Sequence, residues 1–150
     1  MNRLGWQVLA NAVVLLGAGL VPAAQAQGPG WGLSQDNPVP LCKPQGQRAW
    51  IGQLRCPDGS ALSWQRVGGA GPRTPLPEGA DVVALLERYM TYQPLAAGEA
   101  DHHMVDRYQV DCGGQVQLLY LDMYHCDVPP PQAAPAGLQW AGDQDPAAIR

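Results

Sequence analysis

Phenylalanine is absent from this 150-residue chain, lysine occurs once, as Lys43, and charged residues make up only 15% of it. With nine basic against 13 acidic side chains and a formal charge of −4, the chain lacks the cationic surface that nucleic acid requires of a partner. It also lacks the common catalytic signatures. There is no Cys-x-x-Cys of a thiol oxidoreductase, no Gly-x-Ser-x-Gly nucleophile elbow, and no His-x-His or His-Glu-x-x-His zinc motif. Gly68-Gly69-Ala70-Gly71 has a phosphate loop's composition without its Lys-Ser/Thr ending. No uninterrupted apolar run approaches the roughly 20 residues that span a bilayer.

What is present begins with an export signal. Met1-Asn2-Arg3 is a short cationic start, Ala12 to Val21 is an uncharged apolar run, and Ala24-Gln25-Ala26 is a small-x-small cleavage box. Residues 1–26 therefore read as a signal peptide, and the mature chain as periplasmic or secreted with no membrane anchor after cleavage. The first cysteine is Cys42, so no lipid attachment is expected at the cut. Four cysteines in an oxidising compartment predict two disulfides.

Segments 27–40 and 128–150, rich in Gly, Pro, Ala and Gln, offer little apolar surface to offset chain entropy, and are expected as a flexible linker and a disordered tail. The domain between them, 41–127, is small enough to need covalent restraint. Within it, Val82, Leu85, Leu86 and Tyr89 repeat at helical spacing, with Val83 and Met90 widening the stripe. One helix is predicted there, its stripe facing the core. Residues 104–111 and 115–125 flank Gly113-Gly114 and predict a hairpin in which Tyr108 faces Leu119, Met104 faces Met123 and, if the ladder continues, His102 faces His125. Residues 48–55 and 60–67, joined by Cys56-Pro57-Asp58-Gly59, predict a second hairpin, followed by a Gly/Pro loop over 68–77. The expected fold class is α+β, a small antiparallel sheet of about four strands in two hairpins with one packed helix and two disulfides.

Reach bears on the disulfide pairing. An unbroken strand over 115–125 spans about 35 Å, whereas bridged Cα atoms lie within about 7 Å. Cys112 then cannot meet Cys126. Setting strand 48–55 antiparallel to 115–125 favours Cys42 with Cys126 and Cys56 with Cys112; the local pairs, Cys42 with Cys56 and Cys112 with Cys126, stay open if the strands are broken.

Metal-capable side chains cluster only around Asp101-His102-His103 and His125, with Asp106 further along; of these, His102 and His125 with Asp101 or Asp106 are the candidate zinc ligands. Against them stands the strand geometry, because His102 and His103 would point to opposite faces if extended. No cofactor is expected. Trp64, Arg66 and Arg73 are a candidate recognition patch on a mobile loop. Tyr120 and Tyr124 are candidate aromatic anchors if one face of the apolar 118–124 run is an exposed docking surface rather than covered core.

These readings lead to an exported, non-enzymatic bacterial envelope protein that binds another macromolecule as an accessory, inhibitor or sensor-like module. Two alternatives compete with it. A small metal-dependent hydrolase using His102 and His125 would carry zinc, and a purely structural envelope component would self-associate.

Overall fold

Paired glycines set the centre of the fold. In the computed structural model, which describes residues 27–143, Gly113 and Gly114 take φ of 66° and 96°, the backbone that a two-residue primed turn demands. The Asp111 carboxylate accepts the Gly114 N–H at 2.7 Å and closes the turn. The signal peptide expected over 1–26 lies outside the described residues.

In chain order the elements are β1 (Val39–Pro40), α1 (Lys43–Ile51), β2 (Leu54–Arg55), β3 (Ser63–Pro72), α2 (Val82–Tyr89), β4 (Met104–Cys112), β5 (Gln115–Asp122) and β6 (Gln139–Trp140). Four strands form a sheet of order β1-β5-β4-β3, antiparallel except where β1 runs parallel to β5, and β2 pairs with β6 in a separate two-stranded sheet. The class is α+β, with two helices rather than the single one expected. No helix among the described residues is long and apolar enough to cross a membrane.

The β4–β5 register is the one the turn dictates, running from Cys112 opposite Gln115 to Val105 opposite Asp122. The ladder ends there. Met104 pairs with Pro72 of β3, and residue 125 turns away to donate its backbone N–H to Leu41 O at 2.9 Å, so neither Met104 with Met123 nor His102 with His125 forms a cross-strand pair.

The upstream hairpin is replaced. Of residues 48–55, expected as one strand, 48–51 belong to α1 and only Leu54–Arg55 are strand, because Gln47, Trp50 and Ile51 share one buried helix face at spacings of three and four. The polar Gln47 conceals that period in the sequence. Its carboxamide bridges the Tyr108 hydroxyl, accepted at 3.0 Å, and an Asp106 carboxylate oxygen 3.1 Å away. The expected loop over 68–77 is also corrected: strand β3 continues to Pro72 and pairs with β4, not with β2. Two bulges, between Arg66 and Gly68 and between Gly69 and Gly71, allow this, with Gly68 and Gly71 at φ of 122° and 114°.

Helix α2 forms where the periodicity places it, capped by the Asp81 side chain, which accepts the Ala84 N–H at 3.0 Å. Its apolar stripe is not on the core. Val82, Val83, Leu86 and Met90 are exposed, and Tyr89 alone in the helix is buried.

The described parts of the flanking segments, 27–40 and 128–143, dock against the domain. Trp31 and Val39 are core residues, Trp31 meets Trp50 edge-to-face with ring centres 6.0 Å apart, and the Trp140 ring centre lies 6.2 Å from that of Trp50. Trp50 Nε1 donates to Pro131 O at 2.9 Å. One tryptophan of α1 thus collects both segments, and burial of large rings offsets the ordering that their Gly/Pro composition resists. Leu41, Ile51, Leu54, Val110, Leu119 and Leu121 complete the core. Disulfides join Cys42 to Cys126 and Cys56 to Cys112, the pairs favoured by reach, although a helix and not a strand leads away from Cys42.

Candidate metal centre

The open end of the β4–β5 hairpin gathers four ionisable side chains. Asp101 and His103 precede β4, Asp122 ends β5, and His125 follows three residues later. Their ligand-capable atoms all lie within 4.8 Å of one another. Local backbone aims both carboxylates: Asp101 Oδ1 accepts the His103 N–H and Asp122 Oδ1 accepts the Tyr124 N–H, each at 3.0 Å and each two residues on. His125 is held from behind. Its N–H reaches Leu41 O, Lys43 N–H reaches Met123 O at 2.7 Å, and the Cys42–Cys126 disulfide fastens the next residue.

His125 Nε2 lies 2.9 Å from Asp122 Oδ2 and 3.3 Å from Asp101 Oδ2. The His103 Nδ1 atom lies 3.0 Å from Asp101 Oδ1 and 3.3 Å from Asp122 Oδ2. At these distances the nitrogen is ion-paired with both carboxylates, but it meets neither in well-formed hydrogen-bond geometry. His103 is 2% exposed and Asp122 fully buried, while Asp101 and His125 are partly open. The His103 ring is packed by Tyr89 at 4.4 Å, Tyr124 at 4.9 Å and His125 at 5.1 Å.

Electrostatics at the centre are mutual. Burial pushes the carboxyls of Asp101 and Asp122 up, but the His103 and His125 imidazoles close against them outweigh it and hold both below the usual range, Asp101 far below. Burial likewise pushes the two imidazoles down, and the two carboxylates reverse this, raising His103 and carrying His125 to about 9. One external cation joins them: Arg73 Nη1 donates to Asp101 Oδ2 at 3.1 Å.

Two imidazole nitrogens and two carboxylate oxygens at this spacing are a donor set suited to a divalent ion of the zinc class. The poorly aligned His103 Nδ1 fits that reading, since a metal ion between it and the carboxylates would give all of these atoms a directed partner. If each residue supplied one atom, the four donors would complete a tetrahedral shell around such an ion. Such a shell leaves no position for a substrate or an activated water.

Of the candidates named from sequence, Asp101 and His125 meet here and the others do not. His102 Nδ1 lies 2.8 Å from Thr74 O, away from the cluster. Asp106 pairs with Arg66 and Gln47 on the α1 side of the sheet. His103, set aside in favour of His102, and Asp122, not among the candidates, complete the cluster. The alternation argument set His103 against His102 on a strand, but β4 begins only at Met104, so its parity does not govern these residues. The usable signal was the pair of short motifs Asp101-x-His103 and Asp122-x-x-His125 at the two strand ends.

Trp64 and Arg66 stand on the edge strand β3, not on a mobile loop, with Trp64 against Tyr108 at 5.9 Å, while Arg73 belongs to the metal centre's surroundings. Tyr124 is buried against His103 and is no exposed anchor, and Tyr120 is half-buried on β5. No known protein family matches the chain, and no curated protein or solved structure is found similar to it.

Proposed function

We propose that this chain is an exported, non-enzymatic binding module of the bacterial envelope, periplasmic or secreted, whose resident ligand is one divalent ion of the zinc class. Asp101, His103, Asp122 and His125 would hold it. The observation that carries the reading is the convergence of four ligand-capable atoms within 4.8 Å, among them the buried His103 Nδ1, which lies against two carboxylates without a well-formed hydrogen bond to either. Two disulfides are consistent with an oxidising, extracytoplasmic location.

The four-donor shell argues for holding an ion and against hydrolysis, because hydrolytic zinc needs an open position. His102, the ligand on which the hydrolase alternative relied, faces Thr74. A macromolecular partner keeps one specific support, the exposed apolar stripe of α2, since contiguous apolar surface commonly marks an interaction site.

Oxidised protein stripped with a chelator and titrated with Zn²⁺ by calorimetry should bind one ion per chain. His103→Ala should lose that binding while keeping both disulfides. Failure of the oxidised wild type to retain zinc at saturating Zn²⁺ would overturn the proposal.

A further inference from the structure

The segment 75–100 leaves the sheet beside the metal centre and returns to it. Its base is closed by Arg73 N–H to His103 O at 2.8 Å and Thr74 N–H to Asp101 O at 3.0 Å, with His102 Nδ1 also against Thr74 O. Two of the four candidate ligands therefore form one side of its neck. Beyond the neck, from Thr74 to Ala100, Tyr89 is the single buried residue. Its ring edge meets His103 at 4.4 Å and lies 6.0 Å from Tyr124. A second, shallower contact is Tyr92, at φ 56°, stacked 5.9 Å from Tyr124 with Lys43 Nζ 5.3 Å above it.

The segment is stiff within itself. Arg88 grips Glu99 through two nitrogens, Glu99 accepts the Ala96 N–H, and Asp81 caps α2. A unit that is internally braced and tethered at one neck, but fastened to the body through two tyrosines, opens as one piece at lower cost than the sheet beneath it.

The geometry points to segment 75–100 as a lid on the metal centre, latched by Tyr89 over His103, through whose opening the ion enters and leaves. This rests on the metal reading above. The polar tip of the latch adds little, since the Tyr89 hydroxyl is buried with only the His102 backbone near it and no well-formed hydrogen bond; the ring does the covering.

The test compares zinc transfer rates for oxidised wild type, Tyr89→Ala and Tyr89→Phe, with Zn²⁺ delivered from and withdrawn to a chromogenic chelator. Tyr89→Ala should speed both uptake and release by about tenfold or more, with the dissociation constant changed less than about threefold because the latch touches neither donor atom of the bound state differentially. Tyr89→Phe should match wild type. Zinc binding by the wild type with unchanged rates in Tyr89→Ala would overturn the lid and leave the metal site standing; no zinc binding by the wild type would remove both. Should Tyr89→Ala fail to fold, hydrogen exchange on the wild type decides: amides of 82–92 should exchange well ahead of those in β4 and β5, and equal protection would overturn the lid.

Discussion

Two carboxylates at the open end of the hairpin carry charge that must be balanced inside a largely buried site. In metal-free protein, protons on His103 and His125 supply that balance, which is why both imidazoles titrate above their ordinary range. The sign of the pH dependence follows. A histidine raised from 6.5 to about 9 contributes stability that is complete below 6.5 and lost as pH climbs through about 9. Asp101 and Asp122, held below 3.8, contribute stability that is present above 3.8 and lost as pH falls beneath it. Chelator-treated protein should therefore show its highest melting temperature between about pH 4 and pH 6.5 and a decline towards about pH 9. Zinc replaces the two protons, so the zinc-loaded protein should lose less on the alkaline side. Thermal scans across pH with and without Zn²⁺ check this, and coincident curves at about pH 8 would show that no ion takes the protons' place.

At the scale of elements, the two helices are opposites. Helix α1 has a weak apolar period, with Gln47 in its stripe, and is packed hard; α2 has a clear period and is packed through Tyr89 alone. Ile51→Ala should cost about 2–5 kcal/mol as a core truncation. Val83 is 66% exposed, so Val83→Ser should change stability by no more than about 0.5 kcal/mol. Urea unfolding of the oxidised variants measures both, and a comparable loss in the two would mean that α2 lies on the core after all. The contrast shows what was legible. A Gly-Gly turn fixes a hairpin locally, and so the register from Val105 to Cys112 could be read from the chain. Periodicity identifies which side chains share a face but not whether anything covers it, which is where the reading of α2 failed. Conversely, the Trp50 face buries Gly/Pro segments that have no period to detect, and β3 runs through glycines that composition assigns to a loop. The metal centre was half legible for a related reason: Asp101 and His125 lie near the predicted ladder, whereas the role of His103 depends on the strand starting at Met104.

For the molecule as a whole, the two disulfides hold opposite ends of one hairpin. Cys112 sits beside the Gly113-Gly114 turn and is tied to Cys56, while Cys126 follows His125 and is tied to Cys42, whose neighbours Leu41 and Lys43 bond the backbone of residues 123–125. The bridged residues are 56 and 84 positions apart. By the chain-entropy account each bridge contributes roughly 4 kcal/mol, and the logarithm of loop length makes the two nearly equal. Their effect on the ion should differ. Removing the turn-end bridge with Cys56→Ser and Cys112→Ser should lower the melting temperature but leave zinc affinity close to wild type wherever the protein is still folded. Removing the other with Cys42→Ser and Cys126→Ser should lower the melting temperature by a similar amount and also weaken zinc binding by about tenfold or more, the usual cost of losing the support behind a metal ligand. Zinc titration of both folded double variants, under oxidising conditions that preserve the remaining bridge, separates the outcomes. Equal losses of affinity would mean that the centre responds only to global stability, and that the strap at residues 41–43 does not position His125.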